Sequence, residues 1–179
     1  MNGGNLFDRL RDYERRSLAH QPGSPLQSGI SGQGWRGLAY RIGQHHLVSA
    51  HEEVIEIIGV PALTAVPGSQ PWLLGLANVR GNLLPVADLK QFLEGQRSVA
   101  SERQRMLVIH QPGGDVGVLI DELYGQRIFE PDQVVDATAL VSGRYSALVE
   151  RAYRQLGVDW AVLSLDRLSR TPEFRQAAA

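Results

Sequence analysis

Val66–Leu93 reads VPGSQPWLLGLANVRGNLLPVADLKQFL, and its turns and apolar runs decide what kind of fold the chain can take. Val66-Pro67-Gly68 is a turn signal, and Pro71 keeps the chain extended before Trp72-Leu73-Leu74 opens a strand. Asn78-Val79-Arg80-Gly81-Asn82 then separates two apolar runs, with Asn and Gly suited to the positive φ angles of a tight hairpin turn. Arg80 is thereby presented at a bend. Pro85 has no N–H to give to a ladder, which predicts an edge strand. Asp88 is placed to cap a short helix, Leu89 to Leu93, that stops near Gly95. Nothing in the stretch can do bond chemistry.

Working outward, Leu38, Tyr40 and Ile42 alternate with other residues, Gly43-Gln44 offers a two-residue turn, and His46 to Val48 return as a paired strand. A second hairpin is predicted from Met106 to His110 and Val116 to Leu123, joined across Gln111-Pro112-Gly113-Gly114-Asp115. Short strands at this spacing predict an all-β barrel or sandwich. At the N-terminus, Leu6, Phe7, Leu10, Tyr13 and Leu18 recur at helical spacing, which predicts a short amphipathic helix over residues 1–20. Residues 21–34 are rich in Gly, Pro, Ser and Gln and read as a flexible linker, so the folded domain is expected over 35–170, with 171–179 as a tail.

With 179 residues, 43% of them apolar, the chain can bury a sizeable core. A net charge of −1, with both signs interspersed, provides no field that would recruit nucleic acid or an anionic bilayer. Without cysteine there is neither a disulfide framework nor a thiol nucleophile. Met1 to His20 mixes acids among its arginines and lacks a continuous apolar stretch, and no later segment is long enough to span a bilayer. The expectation is a cytoplasmic protein that does not insert into the membrane.

Catalytic, cofactor and metal sites are not expected. His45, His46 and His51 form the only histidine cluster, but neighbours on a strand point to opposite faces, so a converging ligand set is disfavoured and solvent-facing hairpin positions are predicted. Ser, His and Asp are present without a nucleophile elbow. Gly32-Gln33-Gly34 and Pro112-Gly113-Gly114 lack the lysine and the strand-to-helix setting of a phosphate loop. Arg80 is the residue with a recognition role in view: a guanidinium at a turn can make forked hydrogen bonds to a partner, or brace its own loop.

The motif stretch resembles the signature of the CheW-like adaptor family: a proline-led turn, an apolar strand reaching Gly, then N-[LV]-R-G, an apolar pair, Pro, and D-L. Pro67, Gly75, Asn78, Arg80, Gly81, Pro85, Asp88 and Leu89 stand where that pattern asks for them. Val54-Ile55-Glu56-Ile57 resembles the family's V-x-E-I strand, Gly117 to Asp121 its G-[IVL]-[LV]-[IV]-D strand, and Trp160 to Asp166 its closing strand. The resemblance runs from about Trp35 to Leu168.

It implies two intertwined, five-stranded SH3-like barrels, and an adaptor, not an enzyme, that couples methyl-accepting chemoreceptors to the regulatory domain of a CheA-type histidine kinase. It favours partner contact for Arg80 and Asn78, and for Val54 and Glu56, which as alternate residues of a strand are expected on one face. Between Tyr145 and Leu156 the residues fit a helix while the family pattern places a strand at Arg151 to Gln155; the strand is preferred, with Gly157-Val158-Asp159 as the following turn. The N-V-R-G-N-L-L-P variant, the N-terminal extension and Thr171-Pro172-Glu173-Phe174 are similar to PilI-type adaptors of type IV pilus systems, which implies twitching motility; a flagellar adaptor, or a small β-barrel ligand-binding module or enzyme, are the alternatives.

Overall fold

The computed structural model describes residues 34–176. The helix expected over residues 1–20 and the linker up to residue 33 lie outside the described residues. The rest is mainly β. In chain order the strands are β1 Trp35–Ile42, β2 His45–Ala50, β3 Val54–Ile58, β4 Leu63–Thr64, β5 Leu73–Val79, β6 Asn82–Asp88, β7 Arg105–Gln111, β8 Gly114–Ile120, β9 Glu122–Phe129, β10 Val134–Val135, β11 Val149–Gln155 and β12 Val158–Leu163. Short helices follow as α1 Leu89–Glu94, α2 Tyr145–Leu148, α3 Leu165–Arg170 and α4 Pro172–Arg175.

These strands form two six-stranded sheets, ordered β10-β11-β12-β2-β1-β9 and β3-β7-β8-β6-β5-β4. Each contains one strand of only two residues, β10 or β4, and the other five match the expected barrel count. The chain leaves the first sheet after β2, builds β3 to β8 into the second, and returns at β9. The two barrels are therefore intertwined, as the resemblance implies.

The interleaving has a regular basis. β1 to β6 with α1, and β7 to β12 with α3, are two copies of one pattern. In each copy a hairpin with a two-residue turn comes first, Ile42 opposite His45 and Gln111 opposite Gly114. A later hairpin turns between Val79 and Asn82 in one copy and between Gln155 and Val158 in the other. Behind each turn sits a register shift, at Leu73/Gly75 and at Val149/Arg151. Each copy then ends in a capped helix, where Asp88 accepts from the Gln91 N–H and Ser164 from the Arg167 N–H. Each barrel takes its first hairpin from one copy and its last four strands from the other. β2 joins β12 and β8 joins β6, both in parallel.

One apolar core is shared between the sheets. Tyr40, Ile42 and Leu47 of the first meet Leu107, Ile109, Val118 and Ile120 of the second, together with Leu89, Phe92 and Leu168 of the helices. Each barrel also has a smaller interior cluster, aromatic in the first with Phe129, Tyr153 and Trp160, and aliphatic in the second with Ala77, Leu84, Val86, Met106 and Val108. Polar groups pin the crossovers. Glu53, leaving the first sheet, accepts from the Ser164 hydroxyl (3.0 Å) and from the Leu165 (3.0 Å) and Asp166 (3.3 Å) N–H groups. Burial pushes its carboxyl above the ordinary glutamate range, with those hydrogen bonds opposing. Asp121, returning, accepts from the Gly43 N–H at 2.7 Å.

Four expectations change. Pro85 is not on an edge strand, since β6 lies between β5 and β8; its parallel ladder with β8 begins only at Val86, so Pro85 sits where one side is unpaired. The strand expected from Val116 to Leu123 breaks at Asp121, and its two pieces belong to different sheets. The strand preferred at Arg151 to Gln155 is present as part of β11, but a helix, α2, precedes it and the turn after it is Leu156-Gly157. Phe174, assigned to the tail, is 2% exposed, stacked on Trp72 at 5.3 Å and edge-on to Phe92 at 5.2 Å.

Candidate functional site

The β5–β6 turn is tighter than the motif suggests. Its two central residues are Arg80 and Gly81, both with positive φ (52° and 89°), the combination whose twist matches a β-hairpin. Asn78 does not take the left-handed conformation expected of it; its side-chain Oδ1 accepts the Gly81 N–H at 2.9 Å and closes the bend. Gly75 acts by close approach instead. At φ 144° its absent Cβ would lie 2.3 Å from the Thr64 carbonyl oxygen, so only glycine lets β4 and β5 come together there.

Arg80 reaches from this turn to β3, where its Nη2 donates to Glu56 Oε1 at 2.6 Å. The guanidinium side chain is 78% exposed, the carboxylate 24%. Arg80, Asn78 and Glu56 are thus brought together at one end of the second barrel. Val54 is not. A bulge between Val54 and Glu56 sets Val54 opposite Ile109 and Glu56 opposite Val108, so Val54 packs on the shared core while Glu56 stands over the smaller one. The expectation that the two share a face fails because a bulge shifts the strand's period, and no local residue signals it.

Three aliphatic side chains of these elements are exposed: Leu83, cross-strand from Asn78, and Ile55 and Ile57, which flank Glu56 along β3. These were missed by sequence reading. The alternation in Val54-Ile55-Glu56-Ile57-Ile58 is legible, but both faces carry isoleucine, so pattern alone does not choose the outward one.

Comparison of the two copies bears on whether the fold needs the ion pair. Leu156 and Gly157 occupy the places of Arg80 and Gly81. Val108 precedes Gln111 as Ala39 precedes Ile42, and their partners across the bulged pairing are Glu56 and Gly125. The same turn and bulge are therefore built with leucine and glycine. An exposed pair contributes at most about 1 kcal/mol to stability. The Arg80–Glu56 pair is a surface feature that the architecture does without.

The chemistry available here is recognition: a forked cation, a carboxylate and bare aliphatic side chains, with no nucleophile paired to a base. The histidines fit no common site either. His45 contacts Glu94 at 3.2 Å and the Tyr145 ring, while His46 packs against Tyr124 and Trp160 on the other face. Both are half-buried and, of the three, only His51 is exposed, which corrects the solvent-facing assignment. Among the described residues no group of three or more His, Asp or Glu is arranged to hold a metal ion. No helix among them is long and apolar enough to cross a membrane.

Comparison with known proteins follows the same lines. The family model described as a CheW-like domain matches residues 36–173. "Protein PilI" of Pseudomonas aeruginosa is 35% identical over 126 residues, 70% of this chain and 70% of that protein. A "Probable chemotaxis protein CheW" of Rhizobium etli is 32% identical over 105 residues, covering 59% of this chain and 67% of the other. Among solved structures, the scaffolding protein TtCheW from Thermoanaerobacter tengcongensis superposes with a TM-score of 0.67 at 16% identity, over 78% of this chain and 94% of its own, a likeness of fold.

Proposed function

Since this chain belongs to the CheW-like domain family, we propose that it is a non-catalytic adaptor that couples methyl-accepting chemoreceptors to the regulatory domain of a CheA-type histidine kinase. It works in the cytoplasm, at receptor arrays beside the inner membrane. The observation that supports this reading is the Arg80–Glu56 pair, exposed at its arginine and set on a turn the fold builds elsewhere without charge. Arg80, Asn78 and Glu56 meet the partner directly; Val54 supports β3 from the core side. The similarity to PilI supports an output through type IV pili and twitching motility. A flagellar output is the second reading, and the similarity to the Rhizobium protein supports it over a smaller share of the chain.

Arg80→Ala is the direct test. Its melting temperature is expected to stay within a few degrees of wild type, because an exposed pair contributes little. Affinity for the kinase regulatory domain or the receptor signalling fragment is expected to drop by about tenfold, the usual loss for a charged contact at an interface. Unchanged affinity for both would remove Arg80 from the contact, and a collapsed melting temperature would assign it to bracing its own loop.

A further inference from the structure

Among the described residues, three buried side-chain polar atoms have no hydrogen-bond partner, and two of them, Arg127 Nε and Trp160 Nε1, belong to one stack. The Arg127 guanidinium lies over the Trp160 ring, 4.5 Å from its centre. The stack is in the first barrel, where Arg127 of β9 stands cross-strand from Gly37 and Trp160 of β12 from Tyr153. Both atoms are donors that cannot accept. A buried donor left unpaired carries its full desolvation cost, so two on adjacent side chains point to a common acceptor.

The described residues do not supply that acceptor. Gln155 Oε1 is taken by Arg127 Nη1 at 3.1 Å, and no carboxylate among them pairs with Arg127. Glu122, the acid that bears on this end of the barrel, is held by Arg41 at 3.5 Å and Arg103 at 3.2 Å, and it accepts from the Tyr124 hydroxyl at 3.4 Å. His46 completes the surround, its ring centre 5.8 Å from that of Tyr124 and 5.2 Å from that of Trp160, which it meets edge-on. Burial, Arg41 and Arg127 hold its pKa below the ordinary histidine range, with Glu122 opposing. Two guanidinium groups against one shared carboxylate leave the local charge positive.

A water molecule accepting from both donors would still have to place two hydrogens of its own among aromatic rings and a cation, whereas an anion accepts without donating. We propose that the Arg127–Trp160 stack, bordered by His46 and Tyr124, binds a small monovalent anion, chloride or a carboxylate of formate size, held by the Arg127 Nε–H and the Trp160 indole N–H. Burial of both donors restricts the ligand to a small ion, and Arg127, only half-buried, is the side chain that admits it. The site is independent of the adaptor reading.

The test titrates the full chain with chloride, and separately with formate, against gluconate at constant ionic strength, followed by proton–nitrogen NMR. The chain has three tryptophans, and loss of a peak in Trp160→Phe identifies the Trp160 indole. In the wild type that peak and the Arg127 Nε–H are expected to shift and saturate below physiological salt, about 0.15 M, with at least one of the two anions. The His46 pKa is expected to rise alongside, because a bound negative charge favours the imidazolium. Trp160→Phe keeps an aromatic ring and Arg127→Lys keeps the charge, but each removes one donor, so each is expected to need about tenfold more anion for the same rise. A Trp160 peak that neither anion moves overturns the proposal, as does a cross-peak from its indole proton to bound water at saturating anion. A rise in the His46 pKa that is equally easy in both variants places the ion elsewhere and overturns it too.

Discussion

A chain cut between α1 and β7, within residues 95–101, is expected to give two halves that do not fold alone, each with collapsed amide dispersion, and to recover a dispersed spectrum when the halves are mixed. Each sheet draws its first hairpin from one half and its last four strands from the other. Separation strips β1 and β2 of β9 and β12, and β7 and β8 of β3 and β6. The shared core opens as well, exposing Tyr40, Leu47, Leu107, Ile109 and Val118. Each fully buried side chain of this size stabilises the fold by about 1.5–3 kcal/mol, so exposing these five alone costs as much as the 5–15 kcal/mol by which a domain is normally stable. Two well-dispersed spectra from the separate halves would show instead that each is a self-sufficient barrel.

Phe174→Ala is expected to destabilise by about 3–5 kcal/mol, the usual cost of emptying a buried phenylalanine site, and to lower the melting temperature by roughly 10 °C. Phe174 is the last aromatic of the chain and completes a cluster in which Trp72 stacks on it and Phe92 meets both edge-on. Trp72 precedes β5 and Phe92 lies on α1, so this one ring fastens the C-terminal helix α4 to the motif hairpin and its helix. A fall of only a degree or two would show α4 to be dispensable trim. Thermal melting measures it directly.

How much of this was legible in the sequence depends on the range of the cause. Asp88 as a cap, Gly95 as a left-handed stop at φ 72°, and the two-residue turn at Gly43-Gln44 are set by neighbouring residues, and the structure has them as read. Arg80 at a bend was legible for the same reason, although Asn78 closes the turn through its side chain rather than its backbone. The interleaving of the barrels was not legible from period or spacing, because a strand's pattern says which face is buried and not which strand it pairs with; the family resemblance supplied it. Bulges are as silent, and the one after Val54 dissolved an i, i+2 pairing that regular strand geometry would have made. Leu156 escaped notice because leucine carries no turn signal, and only the repeated architecture shows the place it fills. Phe174 escaped because a helix of four residues is too short to show a period.

The central claim, that the chain couples receptors to a kinase, is tested most directly by reconstituting receptor signalling fragments with a CheA-type kinase and measuring autophosphorylation with and without the full chain. The adaptor account predicts that adding the chain raises the receptor-dependent rate by roughly tenfold or more, in the usual range for coupling between sites, and that all three components sediment together. An unchanged rate, with the chain left in the supernatant, would contradict it.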